Sequence, residues 1–107
     1  MVRLMFGLFK PKLKILGVDV AGQVEAVGRN VAQFQSGDEV FGDLSESGYG
    51  AFAEYVSVPE NAIALKPANM TYEEAAAGAA TGGLTALNVL RKGNIQPGRK
   101  ILIYGAS

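Results

Sequence analysis

The chain has 107 residues, of which 49% are apolar and 19% are charged, as is usual for one globular domain with a usable core. Ten basic residues balance ten acidic ones, so no net charge favours binding to nucleic acid or to an anionic membrane surface. The absence of cysteine and histidine excludes disulfides, thiolate or Ser-His-Asp catalysis, and a zinc site built from nitrogen or sulfur ligands.

The first two thirds of the chain show the pattern of short β-strands. Residues 23–27 alternate between polar and apolar, which is typical of a half-buried strand. Residues 39–42 and 51–59 are further strand candidates, and 61–67 contains a last short one. Because turns that contain glycine separate these segments, we predict a small β-barrel or sandwich.

The pattern then changes to helices. Thr71, followed three residues later by Glu74, predicts a capping box, in which the hydroxyl and the carboxylate each bond a free backbone amide. Leucines recur at helical spacing in 83–92, which predicts a second helix with one apolar face. Gly93 is expected to end this helix in the left-handed conformation, and 95–98 has the Pro-Gly order of a type II turn.

The last segment resembles the entry into a nucleotide-binding loop. Residues 100–104, "KILIY", predict a fully buried strand of the kind that starts a parallel sheet. Gly105, Ala106 and Ser107 follow it, where a turn that holds a dinucleotide pyrophosphate would open. Three residues are not a fingerprint, so this motif is weak by itself.

Several motifs occur in one order along the chain. They are G-x-D-x-A-G-x-V from Gly17, V-G-x-x-V-x-x-F from Val27, G-D-x-V-F-G from Gly37, A-E-Y from Ala53, L-T-A-L from Leu84, and the strand into G-A-S. In this order they resemble the medium-chain dehydrogenase/reductase superfamily, most closely its zinc-lacking, quinone-oxidoreductase-like branch. The resemblance extends from about Lys14 to Ser107.

The resemblance implies a mainly β chain with helices. Residues 1–98 would form a partial GroES-like β-barrel of the catalytic domain with its linking helices. Residues 99–107 would be the first strand and the start of the phosphate loop of a truncated Rossmann domain. Members of the family carry further barrel strands before this region and a complete nucleotide-binding sheet after it. We therefore expect the chain to be the middle part of a longer enzyme and to be inactive alone.

The resemblance also implies hydride transfer from NADPH, or less often NADH, to a quinone, an enone or a similar conjugated carbonyl. Zinc-dependent members carry histidine and glutamate after the glycine that Gly17 matches, whereas Val18 and Asp19 stand here, so we expect no zinc. The candidate cofactor-binding residues are Thr85, Gly105, Ala106 and Ser107. No catalytic residue is assigned in this chain, and we expect a homo-oligomer.

Three residues allow a structural explanation beside a functional one, and a fourth, Tyr55, is explained by structure alone. Thr85 either lies near the cofactor or bonds back to its own helix backbone. Asp19 is either a base or a turn carboxylate bonded to backbone amides. Tyr49 either touches substrate or a partner subunit, or is a plain exposed aromatic. Tyr55 is expected to fill the barrel with its hydroxyl bonded.

The alternative function is a non-catalytic GroES-like β-barrel module that works by protein association. Residues 100–107 favour the enzyme, because a free-standing barrel has no use for the first strand of a nucleotide-binding sheet. No apolar run approaches the length of a membrane span. We accordingly expect a small-molecule substrate, no nucleic-acid or membrane partner, and a cytoplasmic location.

Overall fold

A computed structural model describes residues 15–105 of the chain. Three antiparallel strands form one sheet in the order β1–β2–β3, and two helices follow them in the chain. The elements are β1 (Asp19–Gln23), β2 (Glu39–Asp43), a 3-10 turn (Glu60–Ala62), β3 (Ile63–Leu65), α1 (Tyr72–Glu74), a π-helical turn (Ala75–Ala79) and α2 (Thr81–Lys92). The described part of the chain therefore combines one small antiparallel sheet with a few helices, in agreement with part of a GroES-like domain.

Strand β2 is the central strand of the sheet, because it pairs with β1 on one side and with β3 on the other. Its Val40 side chain is buried, and Leu44, which follows the strand, is completely buried. The π-helical turn supplies Ala75 to this core and Ala80 lies just after it, so the core sits where the sheet meets the start of α2. Phe34 is the remaining buried apolar side chain of the described residues.

Gly42 allows β2 and β3 to approach each other closely. It pairs with Ile63, and a Cβ atom at Gly42 would overlap the carbonyl oxygen of Ala62. Any larger residue would push apart the strand pair that forms the floor of the cleft described below.

A buried lysine joins the sheet to α1. The Lys66 side chain is only 5% exposed, and its Nζ lies 3.0 Å from Oε2 of Glu39. The ammonium group also donates to the carbonyl oxygens of Pro67 and Met70 and lies 5.4 Å from the centroid of the Tyr72 ring. Tyr72 donates its hydroxyl to Oε1 of Glu39 at 3.0 Å, so the charge is paired and fully hydrogen-bonded.

The predictions for β2 and β3 are confirmed, but the first strand lies elsewhere. β1 covers Asp19–Gln23 rather than 23–27, because its register with β2 pairs Asp19 with Asp43 and Gln23 with Glu39. Most of the alternating segment 23–27 lies after the end of β1. There Val24 closes a loop, because its amide donates to the Asp38 carbonyl and its carbonyl accepts from the Gly37 amide.

The predicted strand at 51–59 is wrong. Only its first two residues bond across, from the amides of Ala51 and Phe52 to the carbonyl oxygens of Gly17 and Leu16. A strand needs a partner along its whole length, and the ladder stops here. Phe52 is 79% exposed and Tyr55 is 73% exposed, so the expectation that Tyr55 fills a barrel is also wrong.

The buried strand expected at 100–104 is not confirmed. No strand forms there, and the four side chains from Ile101 to Tyr104 are exposed, Leu102 by 94% and Tyr104 by 99%. Within 15–105 no neighbouring strand pairs with this segment. Without such a strand, its backbone has no partner for sheet hydrogen bonds and its side chains are not covered. The division into domains at residue 98 stays a prediction.

The helical predictions hold closely. The capping box is complete, since Glu74 N donates to Thr71 Oγ1 and Thr71 N donates to Oε2 of Glu74. α2 covers the predicted 83–92 and begins two residues earlier. Its leucines are partly exposed rather than buried. Within 15–105 no helix has both the length and the apolar character needed to cross a bilayer.

The end of α2 differs in one detail from the prediction. Gly93 keeps a right-handed conformation with φ of −71°, and Asn94 takes the left-handed position with φ of 48°. Asn is the non-glycine residue that tolerates this region best. The type II turn is confirmed, since Arg99 N donates to the Gln96 carbonyl at 3.2 Å and Gly98 has φ of +82°.

Candidate functional site

A cleft of about 720 Å³ lies between the β2–β3 strand pair and the start of α2. Its walls combine apolar side chains with a polar rim from the loop after β2. The lining residues are Phe41, Gly42, Asp43, Ser45, Glu46, Ser47, Pro59, Asn61, Ala62, Ile63, Ala64, Ala80 and Leu84. A concave site with apolar walls and a few polar groups is the usual form of a small-molecule site.

A second groove, of about 580 Å³, runs along β1 and the segment 53–58. Asp19 borders this groove, whereas Asp43 borders the cleft. The two carboxylates belong to paired residues of neighbouring antiparallel strands, so they lie on the same face of the sheet. The start of α2 lies against this pair, because Thr81 contacts Asp19.

Asp19 caps α2 from 62 residues away. The Thr81 amide donates to Asp19 Oδ1 at 3.2 Å, and the Thr81 hydroxyl donates to the same oxygen. Ala80, which precedes the helix, has no side chain that can cap it. A carboxylate at a helix N-terminus satisfies a free amide and interacts favourably with the helix dipole. These contacts favour the interpretation of Asp19 as a structural carboxylate over its interpretation as a base. The amide that it binds, that of Thr81, begins a helix and does not belong to a turn.

Asp43 is held as an anion by its own loop. The Ser45 amide donates to Asp43 Oδ1 at 2.8 Å. Hydrogen bonds from the amide and hydroxyl of Ser45, with a smaller contribution from the Thr81 hydroxyl, hold the pKa of Asp43 below its ordinary value, against the effect of partial desolvation. Asp43 therefore acts in the cleft as an acceptor and a negative charge at neutral pH, not as a proton donor.

Neutral donors also line the cleft. Ser47 and Asn61 are among the lining residues, and the side chain of each has a group that can donate a hydrogen bond. The apolar walls include Phe41, Ile63 and Leu84. The lining therefore suits a small, largely apolar molecule that carries a hydrogen-bonding group.

The structure locates two of the four predicted cofactor residues. Thr85 lies on α2, one turn after Thr81 and on the same face, and it is exposed. Gly105 is exposed and has a positive φ of 76°, a conformation that suits glycine. Ala106 and Ser107 lie outside the described residues. All four assignments stay predictions.

Thr81 and Asp43 are the site residues that the sequence analysis missed. Thr81 occupies the first position of α2, and its partner lies 62 residues earlier, so no local spacing signals the contact. The short segment 39–42 indicated strand β2, but nothing in it indicated that Asp43 would line the cleft. Tyr49 lies in the loop after β2 with a positive φ of 66°, and its amide donates to the Leu44 carbonyl. Over 15–105, no three His, Cys, Asp or Glu side chains come close enough to hold a metal ion.

Comparison with known proteins identifies the fold family. The profile of the alcohol dehydrogenase GroES-like domain matches residues 3–68. The chain is 39% identical over 103 residues to the 2-methylene-furan-3-one reductase of Solanum lycopersicum, covering 91% of this chain and 26% of that protein. It is 35% identical over 91 residues to the quinone oxidoreductase of Sus scrofa, covering 85% of this chain and 27% of that protein.

A third relative carries its cofactor in its name. The NADPH-dependent alkenal/one oxidoreductase of Arabidopsis thaliana, a chloroplastic protein, is 40% identical over 72 residues, covering 62% of this chain and 19% of that protein. The chain thus spans about a quarter of the length of the curated relatives that it matches. No solved structure matches the chain.

Proposed function

The chain belongs to the alcohol dehydrogenase GroES-like domain family, in the quinone-oxidoreductase-like branch of the medium-chain dehydrogenases/reductases, and we propose that it forms the substrate-binding part of an NAD(P)H-dependent reductase. The proposed substrates are quinones, enones or similar conjugated carbonyls. The names of the relatives support this, because quinones, alkenals and 2-methylene-furan-3-one all join a carbonyl to a carbon–carbon double bond.

The observation that carries the proposal is the cleft beside the start of α2. Its apolar walls suit the flat body of a conjugated carbonyl compound, and Ser47 and Asn61 offer hydrogen bonds to its oxygen. Such hydrogen bonds stabilise the negative charge that develops on the oxygen during reduction. A bound nicotinamide supplies the hydride, while the protein binds and orients the substrate.

The proposed cofactor site lies on α2 and at the end of the chain. We place NADPH, or alternatively NADH, beside Thr85 and at the loop that begins with Gly105, Ala106 and Ser107. We propose a zinc-independent reaction, because the chain contains no histidine or cysteine and has Val18 and Asp19 after Gly17.

A domain chimera tests the proposal. In it, this chain replaces the matching 91 residues of the Sus scrofa quinone oxidoreductase. We expect the chimera to oxidise NADPH in the presence of a quinone, with saturation in both compounds. A chimera that is folded by circular dichroism and binds NADPH, yet reduces neither quinones nor alkenals, would contradict the proposal. That result would favour the non-catalytic association module.

A further inference from the structure

The charged side chains that line the cleft are all acidic. Asp43 and Glu46 stand on its polar rim, and no lysine or arginine is among its lining residues within 15–105. Lys66, at the end of β3, is 5% exposed and paired with Glu39, so it does not neutralise the rim. The Ser45 amide at 2.8 Å fixes the Asp43 carboxylate at the edge of the cleft.

The remainder of the lining favours an uncharged body. Phe41, Pro59, Ile63 and Leu84 form apolar walls, and Ser47 and Asn61 are neutral hydrogen-bonding groups. The volume, about 720 Å³, falls in the range of sites for small organic molecules. An anionic ligand would therefore leave water to lie beside two carboxylates, and no cation among the lining residues of 15–105 compensates its charge.

We propose that Asp43 and Glu46 are specificity-determining residues that make the cleft select neutral carbonyl compounds and exclude those that carry a carboxylate, sulfonate or phosphate. This inference rests on the proposed function for the carbonyl class of the ligand. It adds the charge selection, which comes from the lining of this chain.

The size of the effect follows from Coulomb's law. A unit charge at about 6 Å from each of two carboxylates, in a water-like dielectric, loses about tenfold in affinity. Salt screens such interactions over about 10 Å at an ionic strength of about 0.1 M, so the discrimination should shrink as salt is added. A steric cause would not respond to salt.

The test titrates the isotopically labelled 107-residue chain by NMR with benzalacetone and with para-carboxybenzalacetone, which share one conjugated ketone. Benzalacetone should shift the amide signals of Ser45, Ser47 and Ala62. The para-carboxy compound should bind about tenfold more weakly at low salt, so the ratio of the two dissociation constants should be about ten. In the double variant Asp43→Asn/Glu46→Gln the ratio should fall below about threefold. Glu46→Gln alone should reduce it by part of that amount, which covers the case in which the double variant does not fold.

A matched control is Glu54→Gln, because Glu54 lines the second groove instead of the cleft. It should leave the ratio unchanged. Equal binding of the two ketones in the native chain, or an unchanged ratio in the folded variants, would overturn the charge selection while leaving an active chimera as support for the reductase. Binding of benzalacetone only along the second groove would overturn the assignment of the cleft itself.

Discussion

Replacing Asp19 by alanine should destabilise the fold by about 2 kcal/mol, because one carboxylate oxygen accepts hydrogen bonds from both the amide and the hydroxyl of the first residue of α2. The Thr81 amide loses its cap, which typically costs about 1 kcal/mol. The hydroxyl of Thr81 loses its acceptor, which costs about another 1 kcal/mol. A lost interaction with the helix dipole adds roughly 0.5 kcal/mol, and relief of the repulsion between Asp19 and the paired Asp43 offsets a similar amount.

Urea unfolding followed by circular dichroism measures this change, and thermal unfolding should show a fall of about 10 °C in the melting temperature. Asp19→Asn should be milder, because the amide oxygen still accepts while the charge is lost. Thr81→Val removes the hydroxyl and keeps the helix amide, so it should cost about 1 kcal/mol. The exposed Glu54→Ala serves as a control for the loss of a surface carboxylate, with an effect of less than about 0.5 kcal/mol.

The double variant Asp19→Ala/Thr81→Val closes a thermodynamic cycle. If the two side chains are bonded as described, the combined loss should fall short of the sum of the single losses by about 1 kcal/mol. Additive losses, within about 0.3 kcal/mol, would mean that Asp19 and Thr81 act independently. The bond between the Thr81 hydroxyl and Asp19 would then be refuted, even if each single variant were less stable. The bond from the Thr81 amide is present in Thr81→Val, so Asp19→Ala alone tests it.

Three further predictions concern the strand pair, the buried lysine and the cofactor. Gly42→Ala should cost about 1–3 kcal/mol in unfolding free energy, since the new Cβ meets the Ala62 carbonyl, whereas Gly37→Asn, in a left-handed turn with open space, should cost less than Gly42→Ala. Bonds from Lys66 and then from Tyr72 lower the pKa of Glu39 in the fold, so this carboxylate stabilises the fold above its unfolded pKa. That stability is lost as the pH falls through the lower folded value, and Glu39→Gln should flatten the acid limb of a melting-temperature profile; an unchanged limb would count against the contact. In the active chimera, Thr85→Val should weaken NADPH binding about fivefold by calorimetry while Thr85→Ser retains it, and equal affinities in all three proteins would remove Thr85 from the cofactor site.

Local chemistry explains what the sequence predicted correctly. The Thr71–Glu74 capping box, the turn at Gly98 and the extent of α2 each depend on residues within a few positions of one another. The strands β2 and β3 were also predictable, since short apolar segments between turns signal them. Family membership followed from the order of several motifs, none of which is decisive alone.

Pairing between distant segments explains the errors. Residues 51–59 have the composition of a strand, but only Ala51 and Phe52 find backbone partners. The apolar residues 101–104 have the composition of a buried strand, yet no strand pairs with them over 15–105. In both cases the residues have high β-propensity, which means that their side chains would pack well on a sheet. A strand also needs a neighbouring strand to pair with, and β-propensity does not show whether one is present.

The same reasoning separates the roles of the two aspartates at the sheet–helix junction. Both come from paired positions on one face, so their like charges would repel if nothing lay between them. The amide and hydroxyl of Thr81 donate to Asp19, and the Ser45 amide donates to Asp43. The Thr81 hydroxyl also makes a smaller contribution at Asp43, so it links the two carboxylates. Asp19 therefore binds the start of α2, whereas Asp43 lines the cleft. A change at Asp19 should consequently alter ligand binding mainly through the stability of α2. A change at Asp43 should alter the preference between neutral and anionic ligands and should affect helix stability less than a change at Asp19 does.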